Sequence, residues 1–209
     1  MIRAGVGFST AANPRIAAAQ ATASALAQAG ISRATGALCF ATSAYGAAYP
    51  MIVRAVASEA HTREVVGCSS VGVIAGETEI ESGSALAVLV FGGNEDEIRA
   101  TRFFVPTLRG RAAGVASDIA TAVRAKLGKS NLLILLADTY NFEAEATLDA
   151  LVNQLPGVTI AGGGHAMRRS NQAARDTVCQ CQLEVSRQQH PGDGVRADRI
   201  AAENKRLAN

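Results

Sequence analysis

Short apolar runs alternate with longer alanine-rich stretches along the first part of the chain, and this alternation predicts its secondary structure. The predicted strands span residues 4–8, 37–41 and 64–67, and the predicted helices span residues 16–29 and 51–60. Asn13 and Pro14 form a typical helix start, because Asn can cap the free amides and Pro suits the first turn. Gly30 is a typical helix end. The pattern predicts the order β-α-β-α-β.

The same order recurs further along the chain. Helices are predicted at 112–127 and 143–155, and strands at 132–136 and 158–161. Between the two series lie a strongly apolar strand at 85–91 and a second strand at 98–108, separated by the turn residues Gly92, Gly93 and Asn94. Two strands joined by a glycine-containing turn predict a β-hairpin inserted between the units.

The two series can be superposed, with units of about 4–75 and 103–164. Aligning residues 36–46 with 131–141 places Tyr45 on Tyr140, and the same offset places Gly67 on Gly162. We interpret this as an internal duplication. The predicted fold class is α/β: a mixed, mostly parallel sheet flanked by helices, built from two similar β-α-β-α-β units with an inserted β-hairpin.

The chain divides on this basis into a domain at 1–165 and an atypical tail at 166–209. The tail is rich in Arg and Gln, and an apolar strand like residues 85–91 is expected there but does not occur. Three interpretations compete. The tail is a disordered extension, as its low hydrophobicity indicates; it contains a modest helix around 195–207; or the reading frame is disrupted near Gly164, the interpretation that we favour.

Composition narrows the class of protein. Hydrophobic residues make up 48% of the 209 residues and aromatic residues only 4%, so the core must consist mainly of Ala, Val, Leu and Ile. A net charge of +2 predicts neither a nucleic-acid partner nor attachment to a membrane through a basic surface. The longest apolar run, 85–91, is too short to span a bilayer.

The cysteines and the first residues suggest a compartment. Residues 1–5 do not begin the pattern of a signal peptide, a charged region followed by a long apolar stretch. Cys39 and Cys68 lie in apolar predicted strands, as expected of reduced thiols. Cys179 and Cys181 form no metal-binding spacing. We therefore expect a cytoplasmic protein with no metal and no cofactor.

Hydroxyl groups and glycines follow several predicted strands. Ligands bind at the carboxyl ends of strands in parallel α/β sheets. Neutral hydrogen-bonding groups there suit a small polar ligand such as an amino acid or an organic acid. The alternative is ordinary turn chemistry, since turns use the same residue types. The candidate ligand-binding residues are Ser9, Thr10, Thr42, Ser43, Tyr45, Cys68, Ser69, Ser70, Asp138, Tyr140 and Gly163.

The loop after the third strand is a candidate nucleophile site. A serine elbow needs a second Gly where Val71 stands. Cys68 could attack a substrate with His61 or His165 as base, but nothing in the spacing supports that pairing. A buried thiol is the favoured interpretation, so we name no catalytic residue and expect no enzyme activity. An enzyme that uses Cys68 or a neighbouring Ser remains the alternative.

The segment Val65-Val66-Gly67-Cys68-Ser69-Ser70-Val71-Gly72, with the strand at 85–91 and the segment at 155–164, resembles the N-terminal FIST domain. The resemblance covers residues 1 to about 165. It implies an intracellular sensor of small ligands, proposed to be amino acids, in signal transduction. The chain shows no output domain, so the resemblance implies a signalling partner in trans. A non-functional fragment of a longer sensor is the remaining alternative.

Overall fold

The structure is a computed structural model that describes residues 1–94, 97–105, 111–138, 142–165 and 180–185. The first part of the chain contains β1 (Arg3–Ser9), α1 (Pro14–Ala29), β2 (Gly36–Thr42), a 3-10 segment (Ser43–Ala48), α2 (Tyr49–Glu59), β3 (Val65–Ser70), β4 (Val73–Ala75), β5 (Thr78–Ile80) and β6 (Leu86–Gly92). The second part contains β7 (Ile98–Phe103), α3 (Ala112–Arg124), β8 (Asn131–Asp138), α4 (Ala144–Gln154), β9 (Thr159–His165) and β10 (Gln180–Val185).

The strands form two four-stranded sheets, ordered β1-β6-β2-β3 and β7-β10-β8-β9. In the first sheet β6 runs antiparallel to both β1 and β2, and β2 runs parallel to β3. The second sheet repeats this pattern with β10 in the place of β6. The mixed α/β class is confirmed, but a mostly parallel sheet is not, because two of the three pairings in the first sheet are antiparallel. In each sheet the strand that comes last in the chain, β6 or β10, lies between the two that come first and runs antiparallel to both.

The predicted hairpin between residues 85–91 and 98–108 is also wrong. Strand β6 pairs with β1 and β2, whereas β7 pairs with β10 in the other sheet. Nearly every side chain of β6 is buried, as expected of a central strand that is covered on both faces. The observed hairpin is β4–β5, in which Val73 lies opposite Ile80.

Helix α1 packs unusually close to β1 because both contribute small residues. The Asn13 side chain accepts hydrogen bonds from the amides of Arg15 and Ile16, and Gly30 ends the helix at φ 64°. Gly5 and Gly7 face α1, and a Cβ atom on Gly7 would lie 2.1 Å from the carbonyl oxygen of Ala21. This contact of backbone on backbone explains how a core with few aromatic residues is filled.

Alternate residues of each strand point into different parts of the core. Val65 and its neighbours pack against α1 and α2, and Leu133 and Leu135 pack against α3 and α4. A third cluster, which contains Val66 and Ile134, lies between the two sheets. The layers are therefore helices, sheet, sheet and helices.

A close approach of backbones occurs at the same place in both sheets. A Cβ atom on Gly67 would lie 1.8 Å from the Cys39 carbonyl oxygen, and one on Gly162 would lie 1.9 Å from the Leu135 carbonyl oxygen. The strand registers pair these residues in the same way, so Cys39 corresponds to Leu135. The sequence alignment instead places Cys39 on Ile134, which faces the opposite side of its sheet. That alignment of β2 on β8 is thus one residue out of register.

One strand lies in the tail. Strand β10 occupies the place in the second sheet that β6 occupies in the first, although sequence analysis predicts no strand there. Three of its six residues are polar and alternate with Cys181, Leu183 and Val185, and Gln182 lies opposite both Thr101 and Leu133. The modest helix predicted at 195–207 lies outside the described residues. Within those residues, no helix has the length and apolarity needed to cross a membrane.

Candidate functional site at the carboxyl edge of the first sheet

Three strands of the first sheet end at the same edge. Ser9 of β1 and Ala41 of β2 both lie opposite Leu86 of β6, and Ala41 lies opposite Ser69 of β3. Strands β1, β2 and β3 therefore run in the same direction although β6 opposes two of them. This edge brings together most of the predicted ligand-binding residues that belong to the first sheet.

The Ser9 and Tyr45 hydroxyl groups hold the segment between β1 and α1. Ser9 is buried, and its Oγ donates to Gln20 Oε1 at 2.6 Å and accepts from the Ala11 amide at 3.2 Å. The Tyr45 hydroxyl donates to the Ala11 carbonyl oxygen at 2.8 Å. Burial raises the pKa of Tyr45, so this donor stays protonated at neutral pH. Both hydroxyl groups therefore stabilise the segment that joins β1 to α1.

Thr42 has a comparable structural role. Its Oγ1 donates to the Gly83 carbonyl oxygen at 2.8 Å and accepts from the Ala85 amide at 3.0 Å, which ties the start of β6 to the end of β2. Thr10 and Ser43 are exposed. These residues lie at the predicted edge, but the buried hydroxyl of Thr42 is already engaged.

The end of β3 is different. The Oγ atoms of Ser69 and Ser70 are both buried, and neither makes a well-formed hydrogen bond to a described residue, although the Ser69 hydroxyl acts on the adjacent Tyr49 hydroxyl. The Ser69 side chain is 9% exposed. Strand alternation places Ser69 on the helix-facing side with Val65, and Ser70 on the side that faces the second sheet with Val66. Unused hydrogen-bonding capacity is thus present on both faces of this strand end.

Tyr49, which sequence analysis missed, lies beside Ser69. It begins α2, and its hydroxyl donates to the Thr42 carbonyl oxygen at 2.9 Å, with the Ala41 carbonyl oxygen at 3.4 Å. Burial raises the pKa of Tyr49 to about 12; negative charge on Cys68 would act in the same direction, and the nearby Ser69 hydroxyl acts in the opposite one. The available signal was its position four residues after Tyr45, one helical turn further on.

Cys68 is partly buried next to these serines, and burial raises the pKa of its thiol to about 11. The group is therefore a neutral thiol at physiological pH. His61 precedes β3. Cys68 is the fourth residue of that strand, so it lies about 10 Å from Val65, the first residue, at ~3.3 Å per residue. His165 belongs to the second sheet, opposite Asp138.

The remaining predicted residues belong to the second sheet. Asp138 ends β8, Gly163 lies in β9 opposite Leu136, and Tyr140 lies outside the described residues. A Cβ atom on Gly163 would meet no atom within 4 Å. Across the described ranges, no group of three or more His, Cys, Asp or Glu residues could hold a metal ion.

Comparison with known proteins identifies relatives of this chain. Residues 36–202 match the model of the FIST N domain, so the match continues past Gly164, where sequence analysis places a disrupted frame. Two uncharacterised proteins of Mycobacterium tuberculosis, from strains CDC 1551 and H37Rv, are each 31% identical over 163 residues. The matched region is 78% of this chain, which spans 40% of the length of each relative.

One solved structure bears a distant likeness. It is a cyanuric acid hydrolase from A. caulinodans, with 8% sequence identity and a TM-score of 0.37, and the superposition covers 89% of this chain and 72% of that one. A likeness at this level does not bear on function.

Proposed function

Because the chain belongs to the FIST N domain family, whose members are generally sensory, ligand-binding domains, we propose that it senses a small polar metabolite inside the cell. The observation that carries this proposal is the pair of buried, unpartnered hydroxyl groups of Ser69 and Ser70. The ligand, an amino acid in the simplest case, binds at the end of β3 and is not chemically converted.

The energetics of the serines support a binding role. A buried hydroxyl without a hydrogen bond costs about 1–3 kcal/mol. The hydroxyl groups of Ser9, Thr42 and Tyr45 at the same edge avoid this cost through bonds within the protein. A ligand that bonds to Ser69, or to Ser70 on the opposite face of the strand, would recover this energy at that hydroxyl, and the gain would contribute directly to its affinity.

The chemistry of Cys68 weighs against the enzyme alternative. A nucleophilic cysteine needs a thiolate, which usually comes from a lowered pKa. Burial raises the pKa of Cys68 to about 11, so little thiolate forms at neutral pH. We therefore retain a non-catalytic, sensory role.

The second sheet belongs to the same proposed domain. Its strand order and directions repeat those of the first sheet, and the close approaches at Gly67 and Gly162 correspond. This supports an internal duplication whose second unit ends with β10. It also supports a genuine reading frame through the tail, since β10 completes the sheet and the family match continues to residue 202.

The test is a thermal-shift screen of the purified protein against amino acids, organic acids, amides and nucleotides, in the presence of a chelator. A ligand at a hundred times its dissociation constant should add about 2.7 kcal/mol, or roughly 5–10 °C for a domain of this size. Ser69→Ala should lose the shift. Thr147→Ala, which removes another buried unpartnered hydroxyl in α4, should keep it.

Each other outcome contradicts a defined part of the proposal. A ligand shift retained in Ser69→Ala would remove the site from the end of β3. Conversion of the bound compound, followed by mass spectrometry, would establish an enzyme instead. A broad baseline transition would favour the non-functional fragment, because an incomplete sheet unfolds without cooperativity.

A further inference from the structure

We propose that the protein associates with itself head to tail: the outer face of the β4–β5 hairpin in one copy docks on the C-terminal ends of α3 and α4 in a second copy. The two surfaces combine exposed apolar side chains with charges of opposite sign. Neither surface contains Ser69 or Ser70, so the inference goes beyond the proposed function and does not depend on it.

The β4–β5 hairpin exposes apolar residues on the side that is turned away from the first sheet. Val73 and Ala75 are buried against residues of β1 and β6. Alternation along β4 therefore turns Ile74 outward, opposite Glu79 of β5. Ile74 is 73% exposed, and Val71, just before β4, is 72% exposed. The solvent side of an antiparallel ribbon is ordinarily polar, so large apolar side chains on so small a face indicate a surface for a partner.

The same hairpin carries a concentrated negative charge. Glu77, Glu79 and Glu81 are all exposed, and within the described ranges none of them forms an ion pair. No Lys or Arg occurs between Arg63 and Arg99 in the sequence. The apolar centre of this face is therefore flanked by carboxylates that a basic surface would complement.

A basic surface lies at the end of α3. Arg124 is the last residue of that helix, Lys126 and Lys129 follow before β8, and all three are exposed. No Asp or Glu occurs between Asp118 and Asp138 in the sequence. Among the residues that the structure describes, no ion pair joins Arg124 or Lys129 to the hairpin of the same chain. These charges can therefore meet the hairpin of a second copy.

The end of α4 adds an apolar part to the basic surface. Helices α3 and α4 end shortly before β8 and β9, which are parallel neighbours in the second sheet, so the two helix ends lie at the same edge of that sheet. On the outer side of α4, Val152 is 60% exposed and Leu148 is 37% exposed. The acidic residues of this helix, Glu145 and Asp149, lie nearer its start than Val152 does.

The two surfaces complement each other in charge and in apolar character. Opposite potentials speed the encounter and determine which faces meet, and the apolar side chains lose water at the centre of the contact. Because the two surfaces differ, each bound pair keeps one of each kind free, and association continues into a chain or closes into a ring. Each hairpin strand has only 3 residues. The contact is thus smaller than the ~800 Å² per partner of a stable interface, and the association should be weak and concentration-dependent.

The experiment measures self-association of the full chain by sedimentation velocity over a range of protein concentrations. We expect the weight-average sedimentation coefficient to rise with concentration. It should rise less in high salt, since the screening length falls from about 10 Å at 0.1 M to about 3 Å at 1 M. Glu79→Lys and Lys129→Glu should each weaken the association at least tenfold. An equimolar mixture of the two variants should associate again, because the intact hairpin of one can dock on the intact helix ends of the other.

Glu59→Lys is the matched control, because it makes the same change of charge at an exposed residue of α2 outside both surfaces. It should associate like the parent, and every variant should keep the parent's melting temperature, since the replaced side chains are exposed. A parent protein that stays monomeric would overturn the inference, even if the hairpin bound a basic probe such as polylysine. So would association that resists both reversals, variants that fail to associate when mixed, or an equal loss in Glu59→Lys. None of these results bears on the thermal-shift test of Ser69.

Discussion

Substitution of Gly7 by Ala should separate α1 from β1. The new Cβ atom would lie 2.1 Å from the Ala21 carbonyl oxygen and 2.6 Å from the Ala25 amide nitrogen, both in the backbone of α1. Ordinary contact begins at 3.4 Å, so the helix would have to retreat by the difference, about 1.3 Å, near Ala21. A backbone cannot yield by rotating a side chain, and the shift must pass to the whole helix.

The magnitude follows from what that helix buries. Ala17, Ala18, Ala21 and Ala25 have no exposed surface, and a retreat of 1 Å forfeits a quarter to a half of each dispersion contact. Overpacking of a tight core usually costs about 1–3 kcal/mol. We expect the upper end, about 3 kcal/mol, and a melting temperature lower by roughly 6–12 °C.

Gly114→Ala is the matched control. Gly114 lies inside α3, and a Cβ atom there would meet nothing within 4 Å. The added methyl group should stabilise the helix by about 0.5–1 kcal/mol. Urea unfolding followed by circular dichroism measures both variants. A Gly7→Ala protein within 0.5 kcal/mol of the parent would refute the close packing of α1 on β1.

Three further predictions concern the carboxyl edge. Without ligand, Ser69→Ala should raise the free energy of unfolding by about 1 kcal/mol, because it removes a buried hydroxyl that lacks a hydrogen bond. Ser9→Ala should lower that free energy by about 1–2 kcal/mol, since Gln20 loses its hydrogen-bond donor. A destabilised Ser69→Ala protein or a stabilised Ser9→Ala protein in urea titrations would contradict this. Iodoacetamide should modify Cys68 at pH 7 roughly a hundredfold more slowly than free cysteine, and a rate that levels off by pH 8 would be inconsistent with a pKa of about 11. Folding raises the pKa of Cys68 from 9.0 to about 11 and that of Tyr49 from 10.0 to about 12. The contribution of these two groups to stability is therefore complete below pH 9 and falls as the pH rises through 11–12. Tyr49→Phe should flatten the alkaline part of a stability–pH profile, and an unchanged slope would show that Tyr49 does not titrate there.

Local signals predicted the individual elements well. Asn13, Pro14 and Gly30 marked the ends of α1, which spans Pro14–Ala29 in the structure. The apolar run at 85–91 became β6, with nearly the same bounds. These features depend on residues close together in the chain, so they are visible in the sequence alone.

Strand pairing could not be predicted in the same way. The run at 85–91 is equally compatible with a hairpin partner at 98–108 and with the observed place between β1 and β2. The run takes the central place because other elements cover both of its faces, and those elements lie far away in the sequence. Strand β10 was missed because a continuous apolar run like 85–91 is expected there, whereas Gln and Glu alternate with Cys, Leu and Val along Gln180–Val185.

The candidate site shows the same division. Alternation of strands and helices predicted which edge carries the hydroxyl groups. Which of them are engaged depends on Gln20, Gly83 and Tyr49, which reach the edge from other segments. Sequence analysis therefore gave Ser9 and Ser69 the same role, although in the structure Ser9 donates a hydrogen bond to Gln20 and Ser69 makes no such bond to a described residue.

The central position of β6 constrains the order in which the chain can assemble. In the first sheet β1 pairs only with β6, and Arg3 lies opposite Gly92. During synthesis, therefore, β1 leaves the ribosome long before its partner strand exists. The second sheet repeats the arrangement, since β7 waits for β10. Pairings of such high sequence separation slow folding. Neither sheet can therefore gain its central strand until that last segment of the chain has emerged.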